Sequence, residues 1–364
     1  MAEKGEGVIL TERTPFQKHY HGLNRHKLII TAAFFAFALL GVVLSLGVGI
    51  YHISMWDSYV TFFNHITGNI TDPEADVYIF EVRFPRALAA ILVGAVLAIG
   101  GTVMQNATNN PLAEPYTMGV SSAALLGATL SLAWHFSIIP GITGIYVTIV
   151  NAFILSLIPV AVIILISNFR KLTAVGIILI GIALMYMFSS ISQYIMVTTS
   201  AESLADIYTW RVGSLGRMEL HFDHLFIIAA ITIPIGIILM LCSRKLDIMY
   251  AGDRNAKTMG LNVKQFRVVV MALVSLTTAA IVSFTGTIGF VGLVGPHIAR
   301  VFVGSNNRYL LPCSAAFGAL FLVLADTLAK VSGGGGLPVG VISSAFGGPL
   351  FLYILIKHNK KVWN

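Results

Sequence analysis

Apolar runs of about 20 residues, the length a helix needs to cross the hydrocarbon core of a bilayer, recur along nearly the whole of this 364-residue chain. Backbone groups in lipid must be satisfied within the chain, so such runs form helices there. The runs predict spans at 28–51, 85–107, 117–136, 141–167, 173–197, 225–243, 267–287, 288–303, 309–330 and 337–357. The eighth is short for a full crossing and contains Pro296, which fits a half-helix buried in protein. Only 11% of residues are charged, against roughly 25% in a soluble domain, so lipid is the main solvent. The expected fold is an all-α integral membrane protein of about ten transmembrane helices.

Charge placement fixes the orientation, because Lys and Arg collect in cytoplasmic loops. With the N-terminal tail inside, 18 of the 23 basic residues fall in inner segments. The outer segments hold Arg83, Arg86, Arg211, Arg217 and Lys330 against ten acids. Both termini are therefore expected in the cytoplasm, with a tail over 1–27, a polytopic transmembrane body over 28–357 and a short tail over 358–364. The net charge of +7 follows from this topology, and nucleic-acid binding is not needed to explain it.

Ala90, Gly94 and Ala98 recur every fourth residue in the second span and predict close packing of a neighbouring helix. Gln105, Asn106, Asn109 and Asn110 crowd its inner end, before the helix-breaking segment PLAEP. A polar inner mouth and a simple helix cap both fit these residues. Arg83 and Arg86 precede the same span, where snorkelling to the interface or a functional role is open. The segment Ser243–Phe266 has apolar residues spaced for short amphipathic helices, as in a cytoplasmic docking element or a connector lying on the membrane. Within it, Ala251–Thr258 lacks both glycines of GxxxxGKT, so any ATP hydrolysis belongs to a separate protein.

Neither catalysis nor a metal or cofactor site is expected. His221, Asp223 and His224 supply too few ligands, Cys242 and Cys313 have no ligand-like spacing, and His297 reads as a packing residue. Asp326 stands four residues before Lys330, which favours a local pair over a proton relay.

Several stretches together resemble the FecCD-type permeases of ABC importers for ferric siderophores, haem and cobalamin. They are RFPRALAAILVGAVLAIGGTVMQ, NNPLAEPYTMGVSS, the W-x-x-G-S-L at Trp210–Leu215, GTIGFVGLVGPHIAR, ADTLAK and LPVGVISSAFGGPLF. The resemblance runs from about Arg83 to Lys357 in the family's order, and leaves the first 27 residues unmatched. It implies a permease in the cytoplasmic membrane that has no cofactor. It also implies two ABC ATPase subunits, an extracellular or periplasmic binding protein, and a second permease copy as partners. By resemblance, Arg83, Arg86 and Lys330 face outward to pair with acids of the binding protein, with Lys330 standing where the family usually has arginine. Asn110, Pro111 and Leu112, with Thr173 and Ala174, would form the inner gate. Residues 246–266 would dock on the ATPase, with Ala251, Gly252, Ala256, Gly260 and Leu261 at the coupling turn. The implied mechanism is alternating access by an iron-siderophore-type importer. An ion-coupled secondary transporter is the competing class, and few intramembrane charges favour it.

Overall fold

The computed structural model describes residues 15–49, 53–169, 173–218, 222–333 and 336–358, with side chains of the first helix from Asn24 onward. Among these residues the secondary structure is helical, without strands. The first helices in chain order are α1 (Pro15–Gly47), α2 (Met55–Thr67), α3 (Pro73–Val77), α4 (Phe84–Thr108) and α5 (Val120–Trp134). They are followed by α6 (Ile145–Phe169), α7 (Ala174–Thr198), α8 (Ala201–Val212), α9 (Phe222–Leu241) and α10 (Ser243–Tyr250). The last are α11 (Asp253–Thr258), α12 (Val263–Thr285), α13 (Val291–Val303), α14 (Asn307–Val331) and α15 (Val339–His358). Among the described residues eight helices are long and apolar enough to span a membrane, and the shorter apolar α5 and α13 bring the set to the expected ten.

One boundary differs clearly from expectation. The first helix begins at Pro15 and not near Leu28, because the polar stretch before the apolar run continues the same helix into the aqueous side. The rest of the predicted N-terminal tail, Met1–Thr14, lies outside the described residues. The eighth span is the half-helix its length suggested: α13 runs for 13 residues only.

Shared contacts sort the helix ends into two groups. The C-terminal ends of α1 and α14 meet the N-terminal end of α4 through Lys330, Ser45, Arg86 and Asp326. At the opposite end, the last turn of α4 meets the starts of α12 and α14 through Arg267 and Asn307. Following the chain from these anchors puts the start of α1 and the end of α15 on the second side, where the basic residues concentrate. The first side is accordingly the outer one and the second the inner one.

Helix α4 is the centre of the fold, packed by α12, α13 and α14 and buried along most of its length. The small-residue stripe serves as predicted. A Cβ on Gly94 would overlap the carbonyl of Gly318 in α14, and one on Gly318 would press on Ala98. Likewise a Cβ on Gly101 would overlap the carbonyl of Gly292, so α13 also lies directly on the α4 backbone.

Helices α2, α3 and α8 carry no span-length run, so hydropathy does not announce them. Their caps do. Ser54 accepts from the backbone of Asp57, Asp72 from Glu74 and Ala75 ahead of Pro73, and Ser200 from Ser203.

Candidate functional site

At the outer end, three cations are folded into the protein. The guanidinium of Arg86 donates through Nε to both carboxylate oxygens of Asp326 at 2.9 and 3.1 Å, with Nη2 at 2.9 Å. Lys330, one turn further along α14, lies 3.6 Å from the same carboxylate and donates to the Ser45 hydroxyl of α1 at 2.7 Å. Arg83 donates to the Leu46 carbonyl at 2.8 Å and the Ser58 hydroxyl at 2.9 Å, and its guanidinium sits over the Tyr78 ring. All three are buried. In low dielectric a cation is stable only when paired, and Asp326 supplies the pairing for two of them.

Between α12 and α13 the chain is irregular over 286–290. Buried non-helical backbone must find partners, and Tyr116 provides them. Its hydroxyl donates to the Ile288 carbonyl at 3.1 Å and accepts from the Ile288 N–H at 3.3 Å. Ser214 N–H donates to the Thr285 carbonyl at 2.8 Å, the Thr287 hydroxyl donates to the Arg211 carbonyl, and Gly340 N–H donates to the Gly213 carbonyl at 3.1 Å. The W-x-x-G-S-L segment therefore ties the ends of α8, α12 and α15 together. Gly213, at φ 76°, is pressed against the Thr287 carbonyl, where no larger residue fits. Beside this knot is a cavity of about 540 Å³ lined by Tyr116, Tyr208, Arg211, Thr287, Gly289 and Ser344, among others.

At the inner end, α4 stops at Asn109 in the left-handed conformation, φ 49°. Asn110 then folds back, its N–H donating to the Gln105 carbonyl at 3.2 Å while its side-chain carbonyl accepts from Leu112 N–H at 3.0 Å. Pro111 and Leu112 are exposed, and Glu114, two residues on, has its carboxyl pushed up to about 7 by burial. Thr173 caps α7 by accepting from Gly176 N–H at 3.1 Å. α7 meets the other loop through Gly181, against Thr117 and Met118, eight residues and roughly two turns beyond Thr173 and Ala174. Nearby, α10 and α11 form a pair of short helices. Gly252 and Gly260 turn the chain at φ 98° and 81°, Leu246, Met249 and Ala256 anchor it inward, and Ala251 and Leu261 flank the turns.

The profile of the FecCD transport family matches residues 37–357, most of the chain. The chain belongs to the FecCD transport family. The hemin transport system permease of Yersinia pestis is 34% identical over 282 residues, covering 77% of this chain and 84% of that protein. The vitamin B12 import permease of Vibrio cholerae is 32% identical over 282 residues, covering 77% and 83%. A solved inward-facing ABC transporter of metal-chelate type superposes with a TM-score of 0.77 at 27% identity, over 91% of this chain and 99% of that one.

As a FecCD permease, the chain is the multi-pass membrane subunit of an ABC importer in the cytoplasmic membrane. It is not itself an enzyme, and ATPase and substrate-binding proteins are its partners. Within the single chain, Arg83, Arg86 and Lys330 are each turned inward, onto Asp326, Ser45, Ser58 and the Leu46 carbonyl. The local pair expected between Asp326 and Lys330 is present. His297 packs as expected, against Phe351 and the Leu293 carbonyl. Asp223 and His224 are bound up with Tyr146, and His221 lies outside the described residues. Sequence reasoning did not find Tyr116, Arg211 or Arg267. Of these, Tyr116 stood inside a quoted motif, but its partner lies 172 residues away.

Proposed function

We propose that this FecCD permease carries an iron chelate of the siderophore type, as a pair of identical copies driven by two ATPase subunits and fed by a binding protein. The cavity beside residues 286–290 carries this reading. Its wall is mostly apolar, with the hydroxyls of Tyr208 and Ser344 and one cation, Arg211. A chelate brings its metal already enclosed in ligands, so a path for it needs weakly attractive walls and no thiolate or carboxylate cluster. One arginine suits a cargo with a modest negative charge. Haem and cobalamin are the second reading, favoured by the relatives named for hemin and vitamin B12.

Within this proposal the loop of Asn110, Pro111 and Leu112 closes the inner side with the start of α7 at Thr173 and Ala174. The turn from Ala251 to Leu261 seats on the ATPase. The binding protein docks on the outer rim above Arg83, Arg86 and Lys330, which act by holding the rim's shape. Charge reversal at Arg83 then weakens docking to the same extent at low and high salt. A loss that shrinks as salt rises would mean that Arg83 reaches the partner's acids directly.

The deciding experiment is uptake into proteoliposomes holding the permease, its ATPase and its binding protein, titrated separately with ferric siderophore, haem and cobalamin. Uptake and stimulated ATP hydrolysis with ferric siderophore alone supports the cargo. The same response to haem or cobalamin replaces it.

A further inference from the structure

The last turn of α4, from which the inner loop springs, is held by two polar chains that both end on carboxylates of the short-helix pair. Asp253 begins α11 and takes a bidentate contact from the Arg267 guanidinium, Nη2 at 2.6 Å and Nη1 at 3.2 Å. Arg267 is buried in α12, and its Nε donates to the Ala107 carbonyl at 2.6 Å. That carbonyl is one of those an α-helix leaves unpaired at its C-terminal end, where the helix dipole favours a cation. Asp247, in α10, takes the second chain. It accepts from the backbone N–H and the side-chain amide of Asn307 at 2.8 and 2.7 Å, at the positive N-terminal end of α14. Asn307 in turn accepts from the Asn106 amide of α4 at 2.6 Å, and both asparagines are fully buried.

We propose that Asp247 and Asp253 are positioning residues that couple the short-helix pair to the inner loop, so that a push on α10 and α11 is delivered to Asn110–Leu112. The inference rests on the proposed seating of this pair on the ATPase. Two residues separate Ala107 from Asn110, and that stretch is wound back onto Gln105 by the Asn110 N–H. There is no flexible connection in the path. Each link is a charge-assisted or buried hydrogen bond with a defined geometry, and close-packed surroundings transmit displacement instead of absorbing it. Two parallel chains also resist rotation of the α4 end, which a single contact would allow.

The test follows the loop itself and needs no cargo. A single cysteine at Leu112, which is exposed, is placed in a background with Cys242→Ser and Cys313→Ala. Its labelling by a water-soluble maleimide is timed in the assembled permease–ATPase complex with and without ATP. A coupling free energy of the usual size makes ATP change the labelling rate by at least about fivefold. With Asp247→Ala and Asp253→Ala together, that response falls below about twofold while the complex still assembles and hydrolyses ATP. Asp253→Asn alone gives an intermediate loss, and Asp253→Glu, which can re-form the ion pair, restores the response. An undiminished response in the double variant overturns the proposal and leaves the seating on the ATPase intact. Loss of response together with loss of assembly also overturns it, since the carboxylates would then serve only the fold. If Leu112→Cys alone shows no response in a complex that hydrolyses ATP, the assignment of the inner loop as a gate fails first.

Discussion

Arg86 and Asp326 meet through two guanidinium nitrogens at the outer end of the α4–α14 contact, with Lys330 on the carboxylate's other side. Asp326 thus serves two cations, and its loss costs more than the loss of either. Asp326→Ala is expected to destabilise the permease by about 3–5 kcal/mol, because the carboxylate between two buried charges is gone. Arg86→Ala leaves the Asp326–Lys330 pair in place and costs less. Thermal unfolding in detergent checks the order. Equal losses would mean that Lys330 does not share the carboxylate.

Removing the Tyr116 hydroxyl leaves the N–H and carbonyl of the buried Ile288 without their partner. Tyr116→Phe is expected to cost about 1–3 kcal/mol. The change should appear as faster hydrogen exchange confined to residues near 286–290, measured by mass spectrometry. Protection unchanged at that segment would contradict the role given to the hydroxyl.

A methyl group at Gly101 has to displace the Gly292 backbone. Gly101→Ala is expected to destabilise by at least about 1–3 kcal/mol, as overpacking does in a well-filled core. Gly236, whose added Cβ would meet only the tip of Ile99, should accept alanine with little change. A monodisperse yield and melting temperature for each variant gives the comparison.

Burial raises the carboxyl of Glu114 from 4.5 to about 7. Between those values the folded protein holds a proton that the unfolded chain has lost, so stability falls as pH rises from about 4.5 to 7. The slope amounts to about 2 kcal/mol across that window, allowing for partial exposure. Glu114→Gln should flatten it in pH-dependent melting curves, and an unaltered slope would assign it to another group.

The ten apolar helices were legible because a span is a local property: twenty apolar residues say the same thing in any context. Asp326 and Lys330 were legible for the same reason, lying one helical turn apart. What the sequence could not show is which side chain meets which across the fold. Arg86 stands 240 residues from Asp326, and Arg267 stands 160 from the carbonyl it binds. Both arginines look alike as basic residues near a membrane boundary. Only the packing of α4 against α12 and α14 turns one into a buried pair and the other into a helix-end brace. The bond from Lys330 to the Ser45 hydroxyl was hidden on the same ground, since Ser45 comes from a helix whose approach no local pattern specifies.

Where Gly94 faces Gly318, two main chains touch with no side chain between them. Sliding either helix along the other would drive a Cβ from the next rung into a carbonyl. Helices α4 and α14 must therefore travel as one keel through any cycle that opens first to one side and then to the other. Helix α7 is thinly covered by comparison, most of its surface being left to lipid or to a neighbour.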